Sequence, residues 1–543
     1  MAASTSMRAL LPGWRDYSSV KRTWRGDLLA GITVGIVALP LALAFGVSSG
    51  AGAESGLVTA IIAGIVAAVF GGSNIQVSGP TGAMVVVLGP VVIAHGTAVV
   101  ALVSLAAGIV VVAAGVLRLG RVVSYIPWPV IEGFTFGIAV IIFLQQVPAA
   151  IGSATGKSSN AFLAAIESFS TVNPATLAWA IGAVVLVAVI MVLAPRIHPK
   201  LPGSLLAIVV VSAIAAVANL PLARIGALPN SLPAPSLPPL DPAIFGSLVG
   251  PILTVAALAA IESLLSARVG AALADTGAYD PDRELVGQGL ASVASGFFGG
   301  MPATGAIART AVNVRSGGRS RLAAILHSIV LLGIVTLASG VVSQIPLAAL
   351  AGVLMVTATR MVSLNTVRSV VGSTRSDTVV FLLTALITVS FDLIVAVGIG
   401  IAVAAFFALR TLSKSGGVHR EPIPTPALPG DEHIALFRFE GALFFGAAER
   451  MLDKVTQITG VDVVILRLSQ LQVMDATGAR VITEMIDGLE RRGITVLVKG
   501  IQEQHLRLAT RVGVIRSLRH QNHLFDDLDA AIVHARSHVG VRS

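Results

Sequence analysis

The chain contains no cysteine among its 543 residues. Disulfides, thiolate metal sites and cysteine nucleophiles are therefore excluded. Charge is scarce too: 12% of residues are Asp, Glu, Lys or Arg, against about 25% in an ordinary soluble domain. No segment follows the GxxxxGK[ST] pattern, so nucleotide hydrolysis has no support. Nothing points to an enzyme, a cofactor or a set of metal ligands. No cleavable signal peptide is visible either. Residues 1–27 carry Arg8, Arg15, Lys21, Arg22 and Arg25 without a short apolar core, and read as a cytoplasmic lead-in.

What the chain has instead is hydrocarbon. Hydrophobic residues make up 55% of it and its mean hydropathy is +0.87. Runs such as 175–194, 205–220 and 323–342 approach the roughly 20 residues needed to cross a bilayer. This is the signature of a polytopic membrane protein. The net charge of +9 does not point to nucleic acid, because the basic residues sit in short segments between apolar runs. About fourteen such runs lie between residues 28 and 409, several of them short. Alternate connections hold Arg118 and Arg121; Arg196 and Lys200; Arg268 and Arg283; Arg315, Arg319 and Arg321; Arg360, Arg368 and Arg375; Arg410, Lys414 and Arg420. The opposite connections hold little beyond Lys157 and Arg224. An even number of spans with both termini cytoplasmic is expected.

Residues 225–240 are proline-rich and cannot be helical throughout. They divide the apolar region into two halves of about seven runs. Each half is interrupted once by Phe-Gly-Gly, at Phe70-Gly71-Gly72 and, 228 positions later, at Phe298-Gly299-Gly300. An odd number of spans per half inverts the second half, as in transporters whose broken helices meet near the bilayer midplane. Composition changes at 416–431, a Gly/Pro linker. Beyond it, residues 433–440, 462–468 and 494–498 read as strands and 476–490 as a helix, a small soluble α/β domain over 432–543.

At the two breaks, residues 74–78 and 301–305 read as extended, with Pro80 and Ala306 as early positions of the following helices. Exposed backbone inside a bilayer must be buried in protein or line a watery cavity. Two helix N-termini meeting there favour an anion by about 0.3–2 kcal/mol each. Arg309 adds a full positive charge; its alternative is to snorkel toward the surface beside Arg315. Glu262 lies in an apolar run with no nearby base. Burial favours the neutral form of a carboxyl, which suits a group that takes up and releases a proton. Ser266, at i+4, shares its helical face, and the two could instead ligate a cation. Glu132 suits a first helical turn, Asp392 a turn, and His327 a satisfied, partly buried position. Trp14, Trp24 and Trp128 suit membrane interfaces.

These residues resemble the SulP (sulfate permease) family of anion transporters over almost the whole chain. LPLALAFG (39–46) looks like the family's first-span signature, and GPTGA (79–83) like its third-span motif. IESLLSAR, RELVGQGLASVASGFFGG and ATGAIARTAVNVRSGG (within 261–318) look like its eighth-to-tenth-span block. GALFFGAAE, VVILRLSQLQVMDATG and ITVLVKGI resemble a STAS domain, in family order. The resemblance implies 14 spans as 7+7 inverted repeats, with core and gate domains, half-helices in spans 3 and 10, and a homodimer. It implies a membrane domain over 28–415 and an anion held by Phe45, Thr81, Gly82, Gly305, Ala306, Ile307, Ala308 and Arg309. Glu262 with Ser266 would carry the coupling ion.

Three departures qualify this. Leu41 stands where many members have Gln. Glu262 and Ser266 replace the Asp and Thr of sodium-coupled bicarbonate members, so H+ symport is expected rather than Na+. Ala476 replaces the phosphorylatable serine of the STAS loop, leaving Thr477 as the weaker candidate. The expected protein is a secondary active transporter of sulfate or a related oxyanion in a prokaryotic plasma membrane. Bicarbonate and C4-dicarboxylate uptake are the rivals. A nucleobase symporter fits less well, because span 10 carries Arg309 and no acid, and an uncoupled channel would leave Glu262 unused.

Overall fold

A computed structural model describes residues 10–121, 126–154, 158, 160–198, 201–228, 230–238, 242–390, 393–424, 428–444 and 448–540. Arg8, Lys157, Lys200 and Asp392, named above, lie outside them, as does the Phe445-Gly446-Ala447 part of one STAS motif. The chain divides into two compact units near residue 401.

The first unit is almost entirely helical. Its principal helices are α1 (Val20–Ser48), α2 (Ala53–Phe70), α3 (Gly82–His95), α4 (Val99–Val116), α5 (Trp128–Gln145), α6 (Pro174–Ile197) and α7 (Gly203–Val217). After the proline-rich segment come α8 (Pro242–Leu273), α9 (Pro281–Phe297), α10 (Ile307–Arg315), α11 (Arg321–Val342), α12 (Leu347–Met361) and α13 (Arg375–Ser390), and the unit boundary falls within α14 (Leu393–Ser415). Among the described residues, nine helices are long and apolar enough to cross a membrane, and α3 and α7 are shorter apolar helices. Helix α1 begins at Val20, so the expected boundary at residue 28 falls inside it. Its first turns are charged, and Asp27, buried, accepts hydrogen bonds from Thr23, from the amides of Arg319 and Ser320, and from the Ser320 hydroxyl.

Packing sorts these helices into two groups. In the first, α1 lies along α11, α4 along α9 and α8, and α2 against α9 and α11. In the second, α5 lies on α13, and α6 on α7 and α12. The relation recurs with the halves exchanged: α1 lies on α11, and its counterpart α8 lies on α4. Small residues allow these approaches. A Cβ on Gly108 of α4 would sit 2.6 Å from the Gly289 carbonyl of α9, and the reverse distance is also 2.6 Å. The described residues of the proline-rich segment form no helix. It is held by the Ile225 and Gly226 amides, bonded to the carbonyls of Ile345 and Ser343.

The second unit carries a five-stranded sheet, β3 (Gly417–Glu421), β4 (Ile434–Leu443), β5 (Val463–Met474), β6 (Thr495–Lys499) and β7 (Leu524–Phe525), in sequential order. Only β3 is antiparallel to its neighbour. Helices α15 (Ala448–Thr456), α16 (Ala476–Arg491) and α17 (Glu503–Val512) cover one face, and α18 (Leu528–Gly540) the other. Strand β3 lies inside the segment 416–431 expected to be a linker, and pairs with β4 from Gly417–Glu440 to Glu421–Leu436. Five residues flanked by Gly and Pro show too little alternation to be read as a strand; the partner makes them one.

Candidate functional site

Each interruption begins where a helix ends, and the two ends are finished differently. At the first, α2 stops at Phe70. Arg321 donates to the Ala68 carbonyl (3.0 Å) and Arg283 to the Phe70 carbonyl (3.3 Å). These cations complement the negative end of the helix. Glu284 on α9 then accepts the amides of Gly72 (2.8 Å) and Ser73 (3.0 Å) and the Gln288 side chain (2.9 Å). Arg283 is also paired with Asp16 at 2.7 Å. At the second, α9 stops at Phe297 and Gly299 turns the chain with φ +74°. The Met301 amide donates to the Thr59 hydroxyl (2.7 Å), Ser295 to the Met301 carbonyl (2.7 Å), and the Ala303 amide to Ser292 (3.2 Å). Thr59 opens a π-helical turn in α2, an irregularity often found near functional sites.

The interruptions then meet. β1 (Ser78–Gly79) pairs antiparallel with β2 (Thr304–Gly305), Ser78 opposite Gly305 and Gly79 opposite Thr304. Past this ladder the half-helices α3 and α10 start, with N-caps Thr81 and Ala306. Pro80 is therefore outside its helix, which corrects the expectation of a first-turn proline. The ladder holds residue 79 extended and delays the helix to Gly82. The amides of Gly82, Ala83 and Met84, and of Ile307, Ala308 and Arg309, have no acceptor among the described residues. Two expected donors are already engaged: the Gly305 amide bonds to Ser263 (3.1 Å) and the Ala306 amide to the Val77 carbonyl (2.8 Å). The free donors at the second terminus therefore begin at Ile307.

The starts of the two half-helices differ in access. Gly82, Ala83 and Met84 are buried. A Cβ on Gly82 would lie 2.2 Å from Ile142 of α5 and 3.5 Å from the Phe45 ring, so Phe45 does stand beside the α3 terminus. Ile307 is 42% exposed, and Ala308 is exposed beside it.

Arg309 is 2% exposed and donates to the Pro80 carbonyl across the ladder. It does not snorkel. Its Nη1 lies buried without a partner among the described residues, 2.7 Å from where a Cβ on Gly79 would be. Glu262, half-buried, accepts the hydroxyls of Thr81 (2.7 Å) and Thr304 (2.8 Å). One carboxylate thus touches both interruptions. Ser266 does not join it; its hydroxyl is 3.2 Å from that of Thr310. His327 is fully buried rather than partly buried; its Nδ1 is 2.9 Å from the Ala324 carbonyl oxygen, and its Nε2 lacks a partner among the described residues. Thr304 and Glu284 escaped the sequence reading. The repeated Thr-Gly, Thr81-Gly82 and Thr304-Gly305, was the available signal for the first. A cavity of about 450 Å³ lies at the other end of α3, lined by Ser48, Pro90, Gln145, Gln146 and Leu347. None of the candidate residues lines it.

Comparison with known proteins agrees with this architecture. Residues 24–384 match the model of the sulfate permease family, and residues 425–531 that of the STAS domain. YvdB of Bacillus subtilis, provisionally named a sulfate transporter, is 34% identical over 516 residues, covering 93% of this chain and 96% of its own. The bicarbonate transporter BicA of Synechocystis is 29% identical over 538 residues, covering 94% of both chains. The transmembrane domain of a cyanobacterial BicA superposes with TM-score 0.61 at 32% identity, over 70% of this chain and 97% of that one. The murine anion transporter Slc26a9, in an inward-facing state, superposes with TM-score 0.85 over 99% and 96% of the chains. At 18% identity it speaks to the fold alone.

Proposed function

The chain belongs to the sulfate permease family, and from that premise we propose that it is a secondary active transporter of small anions, working as an H+ symporter by alternating access. The observation that carries the coupling is the Glu262 carboxylate, hydrogen-bonded to Thr81 and Thr304 where both half-helices begin. Helix N-termini attract negative charge. An ionised Glu262 would itself satisfy that attraction and repel a second anion. A protonated Glu262 leaves it to the substrate. Proton and anion would then bind together and leave together, which is symport.

In this reading the anion lies against the amides of Gly82, Ile307 and Ala308, beside Thr81 and Phe45, with Arg309 supplying positive potential from beneath the ladder. Gly305 and Ala306 shape the backbone and do not donate to the anion. Ser266 supports Thr310 from the Glu262 helix. Sulfate or a related inorganic oxyanion is the proposed substrate, in line with the name of YvdB. The second reading is bicarbonate, which the similarity to BicA favours, with H+ or Na+ as the coupling ion. The protein would act as a homodimer in a prokaryotic plasma membrane, both termini cytoplasmic, since the basic connections fall on one side. The proposed domains are a membrane transport domain to about residue 415 and a STAS domain that begins with β3.

Uptake of labelled sulfate, bicarbonate and succinate into proteoliposomes, under an imposed pH or Na+ gradient, tests all of this. Sulfate accumulation driven by an inward proton gradient is expected. Accumulation driven by Na+ alone would replace the coupling ion, and bicarbonate uptake without sulfate uptake would replace the substrate.

A further inference from the structure

The C-terminal domain gathers histidines that no motif in the sequence groups together. His520 and His523 precede β7 in an HxxH spacing, and His534 and His538 lie at i, i+4 on α18, sharing one face. Ring nitrogens of His523, His534 and His538 all lie within 4.8 Å of one another. The Nε2 atoms of His534 and His538 are 3.2 Å apart. His520 stands alongside, its ring centroid 5.4 Å from that of His523.

His523 is 2% exposed. Its ring is hydrogen-bonded to the backbone at Val496, and its Nδ1 is buried with no partner among the described residues. A buried polar atom without a partner is rare in a folded core. A metal-bound histidine commonly shows this arrangement, one nitrogen bonded to the backbone and the other free to ligate. Arg519, a cation whose charge bears on His538, is paired with Glu490 at 3.0 Å.

We infer that His523, His534 and His538 form a binding site for a divalent transition metal, with His520 or water in a fourth position. Imidazole nitrogens without carboxylate favour zinc, copper or nickel over magnesium or calcium. Ligand nitrogens about 2.0–2.1 Å from a tetrahedral zinc lie roughly 3.3 Å from each other. The His534–His538 pair already has that spacing, and the His523 nitrogen lies within 4.8 Å of both. The metal would tie the segment entering β7 to the helix leaving it, so binding would add to the stability of this domain.

The test uses the full chain in detergent, with any affinity tag removed and metal stripped by a chelator. Zinc is titrated against a chromophoric competitor, and Co2+ absorption reports the coordination geometry. One zinc per chain, a tetrahedral Co2+ spectrum and a zinc-dependent rise in melting temperature are expected. His534→Ala with His538→Gln should weaken zinc binding by at least about 100-fold and abolish that rise. Equal affinity in the double variant overturns the assignment. So does a wild-type chain with no zinc binding and no Co2+ spectrum, a result that does not depend on whether the variant folds.

Discussion

The two interruptions solve one problem with different chemistry. Near Phe70 the freed backbone is met by charge, with Arg321 and Arg283 on the carbonyls and Glu284 on the amides. Near Phe298 it is met by the hydroxyls of Thr59, Ser292 and Ser295. The glycines differ as well. A Cβ on Gly72 would sit 2.0 Å from the Asp280 carbonyl, whereas Gly299 meets nothing within 4 Å and is required by its positive φ. Past the ladder, the start of α3 is covered by Phe45 and Ile142 while Ile307 is open. The repeat is therefore one of backbone path. The side chains that complete it were chosen separately at each end.

Substitutions can push on this contrast. The largest effect is expected where the two ends share a residue: Glu262→Gln should abolish gradient-driven accumulation in proteoliposomes while anion binding persists. Undiminished accumulation would remove Glu262 from coupling. Arg309 belongs to α10 but donates to the first interruption. A charge-assisted contact is worth about 1.5–3 kcal/mol, so Arg309→Ala should weaken anion affinity on the order of 10–100-fold. Affinity equal to wild type would reduce Arg309 to a structural role.

The glycine comparison comes next. Gly72→Ala must displace α9 backbone and should cost more than the roughly 1–2 kcal/mol of a left-handed alanine at Gly299. Thermal melts of the purified variants measure both, and a milder loss at Gly72 would mean that the first interruption yields easily.

The smallest effect is expected from acid. Burial alone would raise the Asp16 carboxyl, but hydrogen bonds from Arg283 and the Gly13 amide outweigh it and hold it below its ordinary 3.8. A carboxyl with a depressed value in the folded state contributes stability above its unfolded value and loses it as pH falls through the folded one. Melting temperature should therefore drop below about pH 4, and Asp16→Asn should flatten part of that drop. An unchanged acid profile in that variant would detach the Asp16–Arg283 pair from the stability of the first interruption.

Much of this was legible in the residues. Gly, Pro and charge stand out in a chain with only 12% charged residues, so both interruptions, Arg309 and Glu262 could be singled out. Arg283 and Arg321 were legible only as topology signals, since nothing in a linear pattern shows that they turn inward onto a helix end 213 and 253 residues away. Strand β3 stayed hidden because pairing, not periodicity, makes it a strand. Ser266 shares a helical face with Glu262, yet helical spacing does not reveal that Thr310 comes closer to its hydroxyl.

The short ladder also constrains how the chain is made. The Val77 amide finds its acceptor on Thr310, 233 residues downstream, and the Gly72 amide finds its own on Glu284, 212 residues downstream. When the first half emerges from the ribosome, its broken helix has unmet backbone groups that only later residues can satisfy. In a bilayer no water replaces them. The first half must therefore wait, partly assembled, until synthesis has passed residue 310. A nascent chain stalled before that point should be degraded far faster than one stalled after it.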